Sequence, residues 1–233
     1  MTFLADLAWP EVGTLAGRGA VLLVPMGSTE QHGPHLPVTT DTDIALAIVG
    51  HPAIGLRLPQ TVVAPPLPYG SCGEHDGFAG TLSIGQEATE LVVVELVRSA
   101  SAAFAAVVVV STHGGNASPV ERAVSRLRAE GRDVRSWSPR WQGDAHAGRT
   151  ETSLMLAIAP DRVDLSSARP GDTRPLTEVL PALRSGGVQS VSPNGVLGDP
   201  AAASRHEGDR LLTAAVDDLI RFVGGTGRPE APR

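Results

Sequence analysis

Glu30 and His32 stand two residues apart in VLLVPMGSTEQHGPHLPVTTDTD, residues 21–43, directly after an apolar run. On an extended backbone that spacing turns one carboxylate and one imidazole to the same side, while Gln31 faces the other way. Nine residues past His32, after Gly33, Pro34 and Pro37 have bent the chain, Asp41 arrives with Asp43 beside it. Taken singly, each residue fits a solvated loop, and Asp41 fits a helix cap. Crowded into fourteen positions between prolines and glycines, they have the composition of a metal site built from nitrogen and oxygen donors.

A second apolar run, AVVVV at residues 106–110, delivers STHGGN. His113 follows a buried strand there, with Gly114 and Gly115 leaving space around it; the same glycines could form a backbone nest for an anion. His146 and Glu151 lie five apart in DAHAGRTETS, where Glu151 could equally complement a helix dipole. Glu30, His32, Asp41 and His113 together supply two carboxylates and two imidazoles, with Glu151 or Asp144 in reserve. One ion needs three or four ligands, so this set points to two divalent metals sharing a carboxylate, and to hydrolysis of an amide. Such a donor set suits zinc, iron(II) or manganese. The glycine-rich stretch YGSCGEHDGFAGT, residues 69–81, places Cys72 and His75 where they are expected to line a substrate pocket without acting as essential ligands. Neither Ser28 nor Ser111 sits in a nucleophile elbow, so no serine triad competes.

Composition narrows the chemistry further. Cys72 is the only cysteine among 233 residues, which excludes an internal disulfide, a CxxC redox pair and a thiolate zinc cage. All nineteen basic residues are arginine, which removes Schiff-base lysines and the P-loop lysine. A net charge of −6 without a basic run offers nothing to a phosphate backbone or an anionic membrane, so no nucleic-acid or membrane partner is expected. The N-terminus has no basic n-region and the longest apolar run is too short to span a bilayer, which predicts a cytoplasmic protein.

The elements that must position these residues alternate. Strands are predicted at 21–24, 61–66, 106–110 and 133–137. Helices are predicted at 41–54 with a break near Gly50 and Pro52, at 85–103 behind a Ser83/Gln86 capping box, and at 118–131 with Ser118, Pro119 and Glu121 at N-cap, N1 and N3. Further helices are expected at 151–158, weakly at 176–183, and at 207–223. Residues 1–19 read as a leading surface segment, and 161–204, rich in Pro, Gly and Ser, are the least legible. The pattern predicts an α/β protein, a single domain over residues 1–223 with a parallel sheet covered on both faces, and a loose tail at 224–233. In such sheets ligands bind beyond the carboxyl ends of the strands, where the loops at Glu30, Glu74, His113 and His146 should gather.

GSTEQHGPHLP with DTD, then EHxxFAGT, HGGN and HAGxxETS, resemble the creatininase (creatinine amidohydrolase) family in order and spacing from Val21 to about Val223. The resemblance implies an α/β fold with a parallel sheet, two divalent metals, a symmetric homo-oligomer such as a hexamer, and hydrolysis of amide or cyclic amide bonds. By position, Glu30, His32, Asp41 and His113 match the family's metal ligands, with Asp41 as the bridge, and His146 matches its acid/base histidine on the substrate side. Gly115 stands where creatininase proper carries a glutamate ligand. Gln142 and Gly143 stand where it carries aromatic and acidic residues that grip creatinine. Within the family, the 69–85 loop, HAGRTETS and GVLGDPAAAS look most like the peptidase branch that cuts a modified C-terminal Val-Tyr dipeptide from a small precursor peptide. A creatinine or formamide hydrolase and a non-enzymatic anion-binding module are the alternatives.

Overall fold

The computed structural model describes residues 1–225. Its centre is a five-stranded sheet in the order β1-β3-β2-β4-β5, with every neighbouring pair parallel. The strands are β1 Thr2–Phe3, β2 Val21–Met26, β3 Thr61–Val63, β4 Ala106–Ser111 and β5 Val134–Trp137. β2 and β4 are the longest and buried almost throughout, as their unbroken aliphatic runs require.

Side chains alternate between the two faces of the sheet. Leu23, Val63, Val108 and Val110 pack against α2 (Thr40–Val49), α3 (Pro52–Arg57), α6 (Arg149–Ile158) and α8 (Arg205–Gly224), through Ile44, Ile48, Ile54, Leu154, Met155, Val216 and Leu219. Leu22, Val24, Val62, Val107 and Val109 pack against α4 (Gly85–Ala100) and α5 (Ala117–Ala129), through Val93, Val94, Val97, Val120, Val124 and Leu127. From β2 the chain turns through α2 towards β3 on one side, and from β4 it turns through α5 towards β5 on the other. Adjacent strands whose connections leave in opposite directions open a crevice at their carboxyl ends, where Glu30 and His113 follow.

Several boundaries differ from the sequence reading. Residues 1–19 contain the edge strand β1 and a helix, α1 (Trp9–Ala16), held at its start by a hydrogen bond from Ala8 N to Glu11 Oε2 of 2.9 Å. No residue of α1 is buried, so periodicity had little to show. α5 starts after Asn116, not Ser118, whose hydroxyl instead accepts from Arg122. The Ser83/Gln86 capping box does not form; Ser83 Oγ accepts from Cys72 N and Gly85 N, tying the 69–81 loop to the start of α4. α7 (Leu176–Val191) runs well past the predicted 176–183, through Pro181 and a kink at Gly187, whose φ of 68° lies in the left-handed region. A Cβ at Gly187 would also stand 2.8 Å from Glu74 O. α8 reaches Gly224; of the tail expected at 224–233, residues from 226 on lie outside the described residues. No helix among the described residues is long and apolar enough to cross a membrane.

Candidate metal centre

The loops after β2 and β4, the 69–81 loop and the start of α6 bring seven titratable side chains together. Glu30 and His32 are fully buried, Asp41 in the first turn of α2 is 2% exposed, and His75, His113 and His146 are buried as well. Three groups of donor atoms lie within 4.8 Å of one another: Glu30, Asp41 and His113; His32, Asp41 and Glu151; and Glu30, His32 and His146. Asp41 belongs to two of them and divides its oxygens, Oδ1 lying 3.4 Å from His32 Nε2 and Oδ2 3.4 Å from His113 Nδ1. Glu30 Oε1 is 3.2 Å from His113 Nδ1, and Glu151 Oε2 is 3.8 Å from His32 Nε2.

Three imidazoles share one arrangement. A carbonyl oxygen only accepts, so a ring nitrogen bonded to it must carry the proton. His32 Nδ1 donates to Glu30 O at 3.1 Å, His113 Nε2 to Ser71 O at 3.0 Å and His146 Nε2 to Gln31 O at 2.8 Å. In each ring the other nitrogen faces the acids, as in metal-binding histidines oriented by an outer hydrogen bond. Ser28 Oγ fixes Glu30 by donating to Oε2 at 2.9 Å, and Ala147 N fixes Glu151 by donating to Oε2 at 2.6 Å. Ala147 has a φ of 52°, a strained value for a residue with a Cβ, immediately after His146.

What remains unpaired matters most. Glu30 Oε1, His32 Nε2 and Asp41 Oδ2 are buried and have no hydrogen-bond partner. Buried charges left so are costly unless something bonds them, and divalent cations held in the donor groups that these atoms belong to would satisfy all three. Protons do that work in part without metal. Burial pushes His32 down, but Asp41 first, then Glu151 and Glu30, raise it to about 10. His113 is likewise carried well above its ordinary value against burial by Glu30 and Asp41. Burial raises Asp41, yet His32 and His113 outweigh it and hold the carboxyl far below the usual range. His146, lowered to about 4 by burial and by His32, and His75, lowered to about 2 by burial and the neighbouring imidazoles, stay neutral. Burial raises Glu151, opposed by His32 and His146.

All six residues expected as ligands or acid/base groups therefore meet. Two expectations change. Asp144 is no reserve ligand: its carboxylate accepts from Arg149 N and Thr150 N and caps α6, which presents Glu151. Cys72 is wholly buried with Sγ 3.7 Å from Thr29 O, so it has no surface to offer a substrate. Glu74 was named only as marking its loop, and Asn116 was not singled out. Glu74 Oε1 lies 3.5 Å from His113 Nε2 and 2.5 Å from where a Cβ at Gly115 would stand; that Cβ would also run into Ser71 O and His113 Nε2. No glutamate fits at 115 because Glu74 and the 69–81 loop occupy its space. Asn116 Oδ1 accepts from Ser71 N and Nδ2 donates to Gly27 O, both at 2.9 Å, bolting three loops together beneath the site. An asparagine two positions before a predicted helix was the only signal of it.

The family model for creatininase, creatinine amidohydrolase, matches residues 5–223. The chain belongs to the creatininase family. It is thus a hydrolase acting on amide bonds. The mycofactocin precursor peptide peptidase of Mycobacterium ulcerans is 49% identical over 230 residues, covering 94% of this chain and 91% of the relative. A mutant creatininase solved in a zinc–zinc form is 26% identical with a TM-score of 0.77, covering 95% of this chain and 96% of its own. A manganese creatininase is 26% identical with a TM-score of 0.75, covering 95% and 97%. The three donor groups in the crevice at β2 and β4 are candidate metal-binding sites.

Proposed function

We propose that the protein is a two-metal peptidase that hydrolyses an amide near the end of a small modified precursor peptide, releasing its C-terminal Val-Tyr dipeptide. The observation that carries the metal part is Asp41, whose two oxygens face two separate donor groups. Glu30, Asp41 and His113 would hold one ion, and His32, Asp41 and Glu151 the other, Glu151 supplying the carboxylate that Gly115 cannot. Divalent zinc, iron(II) or manganese bound there would supply polarisation of an amide carbonyl and a more acidic water.

The chain's own residues do the rest. His146 presents an unprotonated Nδ1, 3.7 Å from Glu30 Oε1, and is the group suited to take a proton from water and pass it to the departing nitrogen. Its Nε2 bond to Gln31 O holds that ring in place. The peptide part rests on the relative named a precursor peptide peptidase and on Gln142 and Gly143, which leave room where a small-molecule enzyme has bulk and charge. Residues 1–223 are proposed to act as one catalytic unit in the cytoplasm, within a symmetric homo-oligomer, a hexamer or larger. Trp9 and Leu56, more than four-fifths exposed, are candidates for its contacts.

The test is direct. Metal-loaded protein is incubated with the C-terminally modified precursor peptide and, separately, with creatinine, and the products are identified by mass. Release of the dipeptide with creatinine intact supports the proposal; turnover of creatinine with the peptide intact overturns it. Sedimentation of the same sample checks the oligomer.

A further inference from the structure

Gln31 lies between two proposed ligands and has no part in the scheme above beyond its carbonyl, yet its buried side chain is fully engaged. Oε1 accepts from Gly33 N at 2.8 Å, which settles which end of the amide is which. Nε2 then spends its two hydrogens on Gly195 O at 3.1 Å and His75 Nδ1 at 2.8 Å. An amide N–H can bond Nδ1 only if that nitrogen carries a lone pair, so His75 is neutral with its proton on Nε2. That Nε2 lies 3.3 Å from Glu30 Oε1, which makes no hydrogen bond.

His146 is turned the other way. Its Nε2 proton goes to Gln31 O, and its Nδ1 lone pair faces the same Glu30 oxygen. The 3.1 Å approach of Gln31 Nε2 to His146 Nε2 is a contact between two donors and not a hydrogen bond. Two imidazoles with centroids 4.5 Å apart thus show the cluster opposite atoms, a donor from His75 and a lone pair from His146.

We propose that Gln31 is a positioning residue that presents His75 Nε2–H to the substrate as a hydrogen-bond donor for the amide carbonyl oxygen. The surrounding side chains explain the need. With ions held in the donor groups, Glu30, Asp41 and Glu151 would offer only acceptors, and His32, His113 and His146 would turn no proton inward, so a carbonyl oxygen gathering charge would meet no other side-chain proton among these seven. A fixed donor aimed at developing charge in a buried site is worth far more than in water. The same proton keeps His75 from ligating a metal through Nε2. The inference rests on the amide-hydrolase reading and adds to it the group that faces the carbonyl.

The test uses the zinc-loaded protein with nitrogen-15 in its seven histidines. His75 should show the neutral Nε2–H tautomer with neither nitrogen shifted by zinc, its signals assigned by their loss in His75→Phe. Gln31→Glu places an acceptor at Nδ1, so the His75 signals should move to an Nδ1-protonated form while zinc content stays at the wild-type level. His75→Phe should lower kcat by about 10²–10³-fold, the usual cost of one such donor, with little change in KM. His75→Gln, which keeps an N–H at the same reach, should recover at least tenfold of that loss. An Nδ1–H tautomer or a zinc-bound nitrogen at wild-type His75, or wild-type kcat in His75→Phe, overturns the proposal. If the wild-type protein cleaves no amide offered, the functional reading fails, and the tautomer spectra alone decide whether Gln31 sets His75.

Discussion

Two regions of this molecule hold clustered acids and bases, and they obey different physics. Along the outer sides of α4 and α5, Arg98 bonds Glu95 and Glu130, Arg122 bonds Glu90 at 2.6 Å, and Arg132 bonds Glu130 at 3.1 Å. Each of these charges has a partner and is at least partly open to water. In the crevice at the ends of β2 and β4, the acids face imidazoles, the groups are buried, and three polar atoms have no partner at all. The surface network is complete as it stands, whereas the crevice is complete only with something added. That difference makes the crevice a site.

The largest effect should come from breaking the crevice at its centre. Asp41→Ala removes an oxygen from both proposed ion sites at once and leaves His32 and His113 facing each other with fewer acids. Elemental analysis should show loss of both ions, and activity should fall by at least about 10³-fold, the several kcal/mol a catalytic metal supplies. Retention of two ions per chain would end the shared-carboxylate model. His146→Ala comes next: it should keep its metals and still bind peptide, while kcat falls by about 10²–10⁴-fold, the usual size of general acid–base catalysis. Loss of an ion in that variant would make His146 a ligand, as its group with Glu30 and His32 permits.

A gentler probe asks what fills the crevice without metal. His32, raised to about 10 against an ordinary 6.5, and His113, raised too, carry protons at neutral pH in the empty site. The sign follows. A raised imidazole contributes stability that is fully present below 6.5 and lost as pH climbs through about 10, so the metal-free protein should weaken towards the alkaline end of that window. Ions entering at pH 7.5 must displace those protons, about one from each ring, and apparent affinity should rise with pH. Calorimetry in two buffers of different ionisation enthalpy measures the release. No buffer dependence would mean the empty site holds no such protons.

The sequence made this contrast visible only in part. The crevice was legible because its strands are almost pure aliphatic runs and its ligands sit at short, fixed offsets from their ends: Glu30 and His32 after β2, His113 after β4. Glu151 was legible as an acid near a histidine and as a reserve ligand, but the reason that no glutamate fits at 115 was not. That depends on Glu74 entering from another loop and filling the space, a contact across 41 residues of chain. Asn116 was hidden for a similar reason, since its partners at Gly27 and Ser71 lie on two other loops. α1 escaped notice and α7 was read only over its first half because they bury so little: none of α1, and only Val179 and Val188 of α7. A helix without a buried stripe has no periodicity to read.

The smallest effect should come from the surface region, and its smallness is the point. Arg98 pulls Glu130 down to about 2, which on its face suggests a strong bond. Both side chains reach solvent, however, so water and salt screen the attraction, and two long side chains lose freedom in holding one geometry. Glu130 also has Arg132 as an alternative partner, and Arg98 has Glu95, so deleting one acid leaves no charge buried and alone. Glu130→Ala should therefore leave the thermal midpoint, metal content and activity close to wild type, with any residual difference shrinking as salt is added. If instead it destabilises the protein as severely as removing Asp41 disrupts the site, burial is not what separates the two regions, and unsatisfied atoms in the crevice would no longer mark it as the place where the chemistry happens.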